Sequence, residues 1–529
     1  MTALTGTGAL LRLALRLDRV RLPVWVLIIG TLPAVTAAQY QELYPTKESL
    51  DQVSGVISNP SLVAINGPLF AGGSIGALTA WKVLVTEVIL VGLMAILTVI
   101  RHSRVEEETG RLELLRAGVL GRHAPLTAAL LAAGSAGVAA GTIAALGLIG
   151  ARQPAAGSLA LGAAVAFTGL LFAAVAGVAA QLTESARSAT AIGTAVLGGA
   201  YLLRAVGDAG PTWVSWLSPI GWALRLRPYA GERWWTLGLV TVLALACVAV
   251  AFVLAGRRDL GAGLLPQRPG PARAEPALRS PFALAWRLHR GLLIGWVIGM
   301  AVWGGVLGGS AKGIGDATLD NERITDLLSR LGGAGALVDA YLGAVLGITG
   351  LVVAAYTVQA TLRLRGEETA GRLEPLLATR TRRVRWALSH LAFAVFGTAL
   401  LLAVAGAGAG LAYGAQVGDV GGQTAALLGA ALVQAPAAWV LAGIGAALFG
   451  LAPRLAGGIT WAALVLCLLV LEIGEILGLS QWIIDVSPFA HVPKLPGADF
   501  TVAPLLWLTV AAAALAAAGL AAFRRRDVG

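Results

Sequence analysis

The sequence predicts an all-α polytopic membrane protein, with about 12 transmembrane helices arranged as two parallel six-helix repeats. Three observations lead to that class. The 529 residues are 57% hydrophobic and only 13% charged, with a mean hydropathy of +0.79, whereas soluble domains carry about a quarter charged residues. The apolar residues fall in blocks of about 20, the length at which a helix crosses a hydrocarbon core. Short stretches of the first half also recur, in the same order, in the second. The same composition excludes disorder.

The chain opens with LLRLALRLDRV, which sets Arg12, Arg16 and Arg19 at i, i+4 and i+7 on a leucine-rich helix. That is the pattern of a helix lying in a membrane interface. The first apolar block, LPVWVLIIGTLPAVTAAQ, lacks a convincing cleavage site, so a span rather than a signal peptide is expected at 22–39. Further spans are expected at 80–100, 126–150, 158–180, 190–206, 236–255, 290–308, 343–362, 387–410, 424–450, 459–478 and 503–523. Arg supplies 35 of the 39 basic residues, and most of them lie at 1–21, 101–125, 181–189, 256–289, 363–386, 451–458 and 524–529. The positive-inside rule then places both termini in the cytoplasm. The net charge of +11 is accounted for by that placement, and no nucleic-acid partner is expected. One exception is WLSPIGWALRLRPYAGERWW before span six. Its Arg225, Arg227 and Arg233 among tryptophans suit an interfacial or re-entrant element on the outer side. Cys247 and Cys467 sit inside apolar runs and imply no disulfide framework. The five histidines show no ligand spacing, so no metal site is expected. No arrangement of nucleophile and base identifies a catalytic residue.

The internal repeat has four anchors. EEETGRLELL at 106–115 aligns with EETAGRLEPL at 367–376, seven identities in ten. RRDLG at 257–261 answers RRDVG at 525–529, SPI at 218–220 answers SPF at 487–489, and Arg16 with Trp25 answers Arg287 with Trp296. A duplicated unit of six spans gives copies of the same orientation, hence parallel repeats. The expected organisation is a first repeat at 1–255, a Pro/Gly/Arg-rich cytoplasmic linker at 256–280, and a second repeat at 281–529. The second copy begins SPFALAWRLHR, where Ser280 is placed to cap a helix and Pro281 to occupy its first turn.

The repeated acidic segments carry the most information. Glu106, Glu107, Glu108, Gly110, Arg111 and Glu113 recur as Glu367, Glu368, Gly371, Arg372 and Glu374. Clustered carboxylates are disfavoured beside an anionic leaflet, so neither segment suits a lipid anchor. On a continuous helix, Glu107 with Arg111 and Glu368 with Arg372 are i, i+4 pairs. Such pairs contribute only ~0.3–0.5 kcal/mol each, a weak reason to carry the cluster twice. With Leu112 and Leu115 alongside, the segment suits docking into a groove of a cytoplasmic partner.

EExxGRLE after the second span, SPxGWxxxxRPY before the sixth and SPFAHVPKLPG before the twelfth resemble the actinobacterial polyketide-antibiotic (tetronasin-type) ABC exporter permeases, duplicated relatives of the ABC-2 (type V) exporter membrane subunits. The similarity covers nearly the whole chain. It implies an efflux permease for amphipathic or hydrophobic antibiotics in a bacterial plasma membrane, served by two copies of a cytoplasmic ABC ATPase. It also implies that 106–113 and 367–374 are the coupling helices facing that ATPase. Pro375, where the first copy has Leu114, is a departure expected to shorten the second helix. In the family, spans two, five, eight and eleven line the central path, which makes Glu87, Tyr356, Gln359 and Glu472 the substrate-path candidates. Gln434 and Glu475 are further polar residues inside spans.

A phosphate-cradling loop needs G-x-x-x-x-G-K-[ST]. Of Lys47, Lys82, Lys312 and Lys494 none has that context, so ATP and Mg are expected on the partner and no cofactor on this chain. The main alternative is a major-facilitator-like secondary transporter, also built from 6+6 parallel repeats, although the loop RHSRVEEETGRLELLRAG lacks its Asp-Arg-x-Gly-Arg pattern. A non-transporting membrane scaffold is the other.

Overall fold

The computed structural model describes residues 3–527 except 47–48, 51–62, 64, 117, 119, 260, 265–277, 279, 320–332 and 474–479. Among the described residues there are helices and turns but no β-sheet. The chain divides into two compact units, Met1–Gly270 and Pro271–Gly529. Most of the expected linker lies outside the described residues.

In the first unit the amphipathic helix α1 (Thr7–Leu17) is followed by α2 (Arg21–Leu43) and α3 (Ile75–Ile100). Ser74 starts α3 by accepting the amide of Ala77 at 3.2 Å. After the short helix α4 (Arg111–Arg116) come α5 (Ala124–Gly150), α6 (Ala155–Leu182) and α7 (Ala186–Ala209). The expected re-entrant stretch holds the short helix α8 (Pro219–Leu224), capped by Ser218, before α9 (Thr236–Arg257). Small residues let α5 and α6 touch backbone to backbone: a Cβ at Gly141 would collide with the carbonyl of Gly162.

The second unit contains α10 (Pro281–Leu319), α11 (Gly333–Thr369), α12 (Leu373–Leu377) and α13 (Arg383–Val417). Then follow α14 (Val420–Leu432), α15 (Ala435–Leu451), α16 (Ala456–Ile473) and α17 (Ala503–Arg525). Ser280 caps α10 through the amide of Ala283 at 3.1 Å, as its sequence position implies.

Among the described residues, eleven helices are long and apolar enough to cross a membrane. Eleven of the expected spans are among them. The other, 459–478, is present as the shorter apolar helix α16, whose continuation at 474–479 lies outside the described residues. Two details differ from expectation. Span ten, counted as one apolar helix over Val420–Leu451, is interrupted at Val433 and Gln434 between α14 and α15, with Pro436 just after; proline cannot supply the amide that a continuous helix needs. Among the described residues the second unit also shows no separate interfacial helix, because α10 runs unbroken from Pro281.

Burial separates central from peripheral helices. The apolar window of α3 is 72% buried, that of α9 only 11%. Val242, Leu245 and Val253 on α9 are largely exposed, an arrangement that is stable where the surrounding solvent is hydrocarbon.

Candidate functional site

Each unit carries an acidic elbow built on the same plan. In the first, α3 passes into a π-helical turn at Arg101–Val105 and a last turn at Glu106–Glu108, and Gly110 (φ +70°) then redirects the chain into α4. In the second, α11 ends at Thr369 and Gly371 (φ +66°) leads into α12. A left-handed residue is the natural end of a helix, and glycine adopts it without the Cβ penalty.

That bend corrects the expected pairing. Glu107 does not meet Arg111, and Glu368 does not meet Arg372, because the glycine interrupts the helix on which i, i+4 spacing depends. Arg372 instead reaches five residues back, from Nε to Glu367 Oε2 at 2.7 Å and from Nη2 to Oε1 at 3.1 Å. This hydrogen bonding raises the Arg372 guanidinium above its ordinary value. Arg111 makes the matching contact with Glu106, more loosely, at 3.4 Å.

Glu107 and Glu368 are thereby left to a second, equivalent pairing. Arg104 Nη1 meets Glu107 Oε2 at 2.8 Å, and Arg258 from the end of α9 meets Oε1 at 2.6 Å. In the second unit Arg365 meets Glu368 Oε2 at 3.0 Å, and Arg526, just beyond α17, meets Oε1 at 2.7 Å. Each elbow is thus an Arg–Glu–Arg clamp joining the end of one long helix to the end of the last helix in its unit. A further arginine repeats the logic: Arg122 donates to the carbonyl of Gly256, and Arg383 to that of Arg526. Neither clamp is a surface pair. The Glu107 side chain is 7% exposed and that of Glu368 5%. Removing one partner of such a pair strands a buried charge and costs about 3–5 kcal/mol.

The first elbow has additional supports. Arg104 Nε donates to Ala180 at 3.0 Å and Arg258 Nε to Gln181 at 2.6 Å, tying the clamp to the end of α6. Glu108 accepts the amide of Ala186 at 2.6 Å, so its carboxylate satisfies a free donor at the start of α7. Thr369, which stands at the equivalent position, bonds back to Arg365 within its own helix. Asp18, buried after α1, meets Arg101 at 3.0 Å and His102 at 2.7 Å. At the corresponding place in the second unit, His289 meets His390 at 2.9 Å.

With these groups engaged, the exposed surface of the first elbow includes Glu113 and Leu114, and that of the second Glu374 and Pro375. Pro375 lies in the first turn of α12, where a proline is tolerated, and both helices are short.

Of the substrate-path candidates, Glu87 belongs to the first unit, and Tyr356 and Gln359 to the second, where both contact Trp296. Glu87 is fully buried on α3 with both oxygens unpartnered among the described residues. Tyr356 is fully buried and donates to the carbonyl of Phe393 at 2.9 Å, while Gln359 accepts from Trp296 Nε1 at 3.3 Å. The side chain of Glu472 and the whole of Glu475 lie outside the described residues. Arg258 and Arg526 were not singled out from the sequence as site residues, although the repeated RRDLG and RRDVG contain them.

Comparison with known proteins agrees on one relationship. Residues 278–524 match the family described as the multidrug efflux system permease Rv1217c, C-terminal domain. Over 526 residues, 99% of this chain and 95% of the relative, the sequence is 46% identical to the multidrug efflux system permease protein Rv1217c of Mycobacterium tuberculosis.

Proposed function

The chain belongs to the family of the multidrug efflux permease Rv1217c, and from that premise we propose that it is the membrane subunit of an ATP-driven exporter of the ABC-2, tetronasin-type kind. Its cargo is amphipathic or hydrophobic drugs, and its place is the plasma membrane of a bacterium with both termini in the cytoplasm. ATP and Mg are bound and hydrolysed by a separate ATPase, present in two copies, one for each elbow.

The observation that carries the coupling part is the repeated clamp. Glu107 and Glu368 are held internally by arginine, so they position the elbow rather than face a partner. Glu113 with Leu114, and Glu374 with Pro375, are the surfaces left to touch the ATPase. An ATPase that closes on nucleotide displaces the elbows, and the clamps pass that displacement to α9 and α17 as well as to α3 and α11. Such coupling needs an element with two arrangements that both sites bias, and a long helix ending in a buried ion pair is a stiff lever for it.

The test is efflux of a fluorescent hydrophobic drug from cells lacking their own exporters, supplied with this chain and its native ATPase. Efflux is expected to need both chains and to stop when the P-loop lysine of the ATPase is replaced. Efflux that persists after that replacement, driven by the proton gradient, overturns the reading in favour of a secondary transporter.

A further inference from the structure

Within the second unit, the N-terminal half of α11 borders a cavity of about 610 Å³. Gly343, Ala344 and Gly347 line it at three- and four-residue steps, so they share one helix face. The roof is the loop before α17, including Lys494, and the floor includes Gln434 at the break between α14 and α15. Most of the lining is apolar, and the volume is in the range that accommodates a drug-sized ligand.

Two groups distinguish this space from loose packing. Gln434 is 4% exposed, and its Oε1 has no hydrogen-bond partner among the described residues. A buried amide oxygen left unpaired is unfavourable by roughly 1–3 kcal/mol; this one packs against Gly350, and a rotation of the Gln434 side chain, which lines the cavity, presents it to a ligand. Gly350 permits the position, since a Cβ there would lie 2.9 Å from the Gln434 side chain. Lys494 is exposed at the roof and forms no ion pair among the described residues. Its loop rests directly on the helix, because a Cβ at Gly343 would stand 3.1 Å from the Lys494 carbonyl. The seven-residue step from Gly343 to Gly350 sets the Lys494 backbone and the Gln434 side chain about 10 Å apart along α11.

We propose that this cavity binds an anionic amphiphile. Its apolar body lies on the small-residue face of α11, a hydrogen-bond donor meets Gln434 Oε1, and an acidic head meets Lys494. The biological purpose rests on the exporter reading, but binding belongs to this chain alone and requires no ATPase. The site lies about 26–36 Å from Glu367 along α11, so a single helix joins it to the second elbow.

The experiment is a fluorescence titration of the purified chain, in bilayer discs of phosphatidylcholine, with dansylaminooctanoic acid and with its methyl ester. The sulfonamide N–H and the carboxylate of this probe are separated by about 10 Å when extended. Saturable binding of the acid is expected. Lys494→Gln should weaken the acid about tenfold and leave the ester unchanged, the effect of losing one charge-assisted hydrogen bond. Gln434→Leu should weaken both. Nothing lies within 4 Å of a Cβ built at Gly347, so Gly347→Ala should bind normally, whereas Gly347→Trp should obstruct the small-residue face on which the apolar body lies and abolish saturable binding. Saturable binding that survives Gly347→Trp, or is missing from the wild-type chain, overturns the site. Equal effects of Lys494→Gln on acid and ester overturn the anionic assignment. None of these results bears on ATP-dependent efflux, and loss of ATP-dependent efflux does not bear on them.

Discussion

Arg258 and Glu107 are 151 residues apart in the chain and meet through two parallel hydrogen bonds, Nη2 to Oε1 at 2.6 Å and Nη1 to Oε2 at 2.9 Å. The planar guanidinium matches the carboxylate at both oxygens, an arrangement a lysine ammonium does not reproduce. Arg526 and Glu368 repeat the contact in the second unit with one bond of 2.7 Å. The two units therefore share a long-range ion pair as well as a local motif.

Arg258→Ala is expected to lower the stability of the purified chain by about 3 kcal/mol, because Glu107 then loses a buried partner. Arg526→Ala should cost less, about 1–2 kcal/mol, since the Arg526 side chain is 20% exposed. Arg258→Lys should recover only part of the loss. Denaturant titration of the three variants in one detergent checks the ranking, and an equal or smaller loss at Arg258 contradicts it.

Gly110→Ala and Gly371→Ala should each destabilise their elbow by about 1–2 kcal/mol through backbone strain alone. No atom crowds a Cβ at either position. Asparagine, which tolerates the left-handed region, should be milder than alanine at both sites. Hydrogen exchange of 106–116 and 367–377 reads the local effect; alanine and asparagine behaving alike would refute a strain origin.

Tyr229 lies between α8 and α9, its hydroxyl 2.8 Å from Ser158 Oγ, and Gly76 and Gly157 leave room for its ring. Burial pushes this hydroxyl up to about 12, above the ordinary tyrosine value of about 10. A folded-state value that is raised means the contribution is complete below about pH 10 and is lost as pH rises through about 12. Tyr229→Phe should be less stable than wild type at neutral pH by about 1 kcal/mol, with the gap closing across that alkaline window. A gap that stays constant to pH 12 would show that Tyr229 does not titrate as stated.

Much of this was legible in the sequence because hydropathy blocks and repeats are local signals. The helices, the repeated acidic segments and the Ser280 cap were legible from residue pattern alone. The elbow pairings were not, because i, i+4 reasoning assumes a continuous helix and Gly110 and Gly371 end it. Arg258 and Arg526 stood in the repeated RRDLG and RRDVG, but only folding brings them to Glu107 and Glu368. Tyr356 and Gln359 are polar residues inside a span, which reads equally as path or as packing. The structure gives both an interhelical hydrogen bond, whereas Gln434, at a helix break that periodicity does not reveal, borders the cavity.

The central claim is that the exposed faces of the two elbows touch an ATPase. A photo-crosslinking amino acid placed at Leu114, at Pro375 and, as a control, at Trp507, which is 74% exposed near the opposite end of α17 from Arg525, tests it most directly. After irradiation of native membranes, mass spectrometry should recover a P-loop ATPase joined to the chain from positions 114 and 375 and not from 507. Adducts with lipid alone at 114 and 375, in membranes where ATP-dependent efflux is intact, would contradict it.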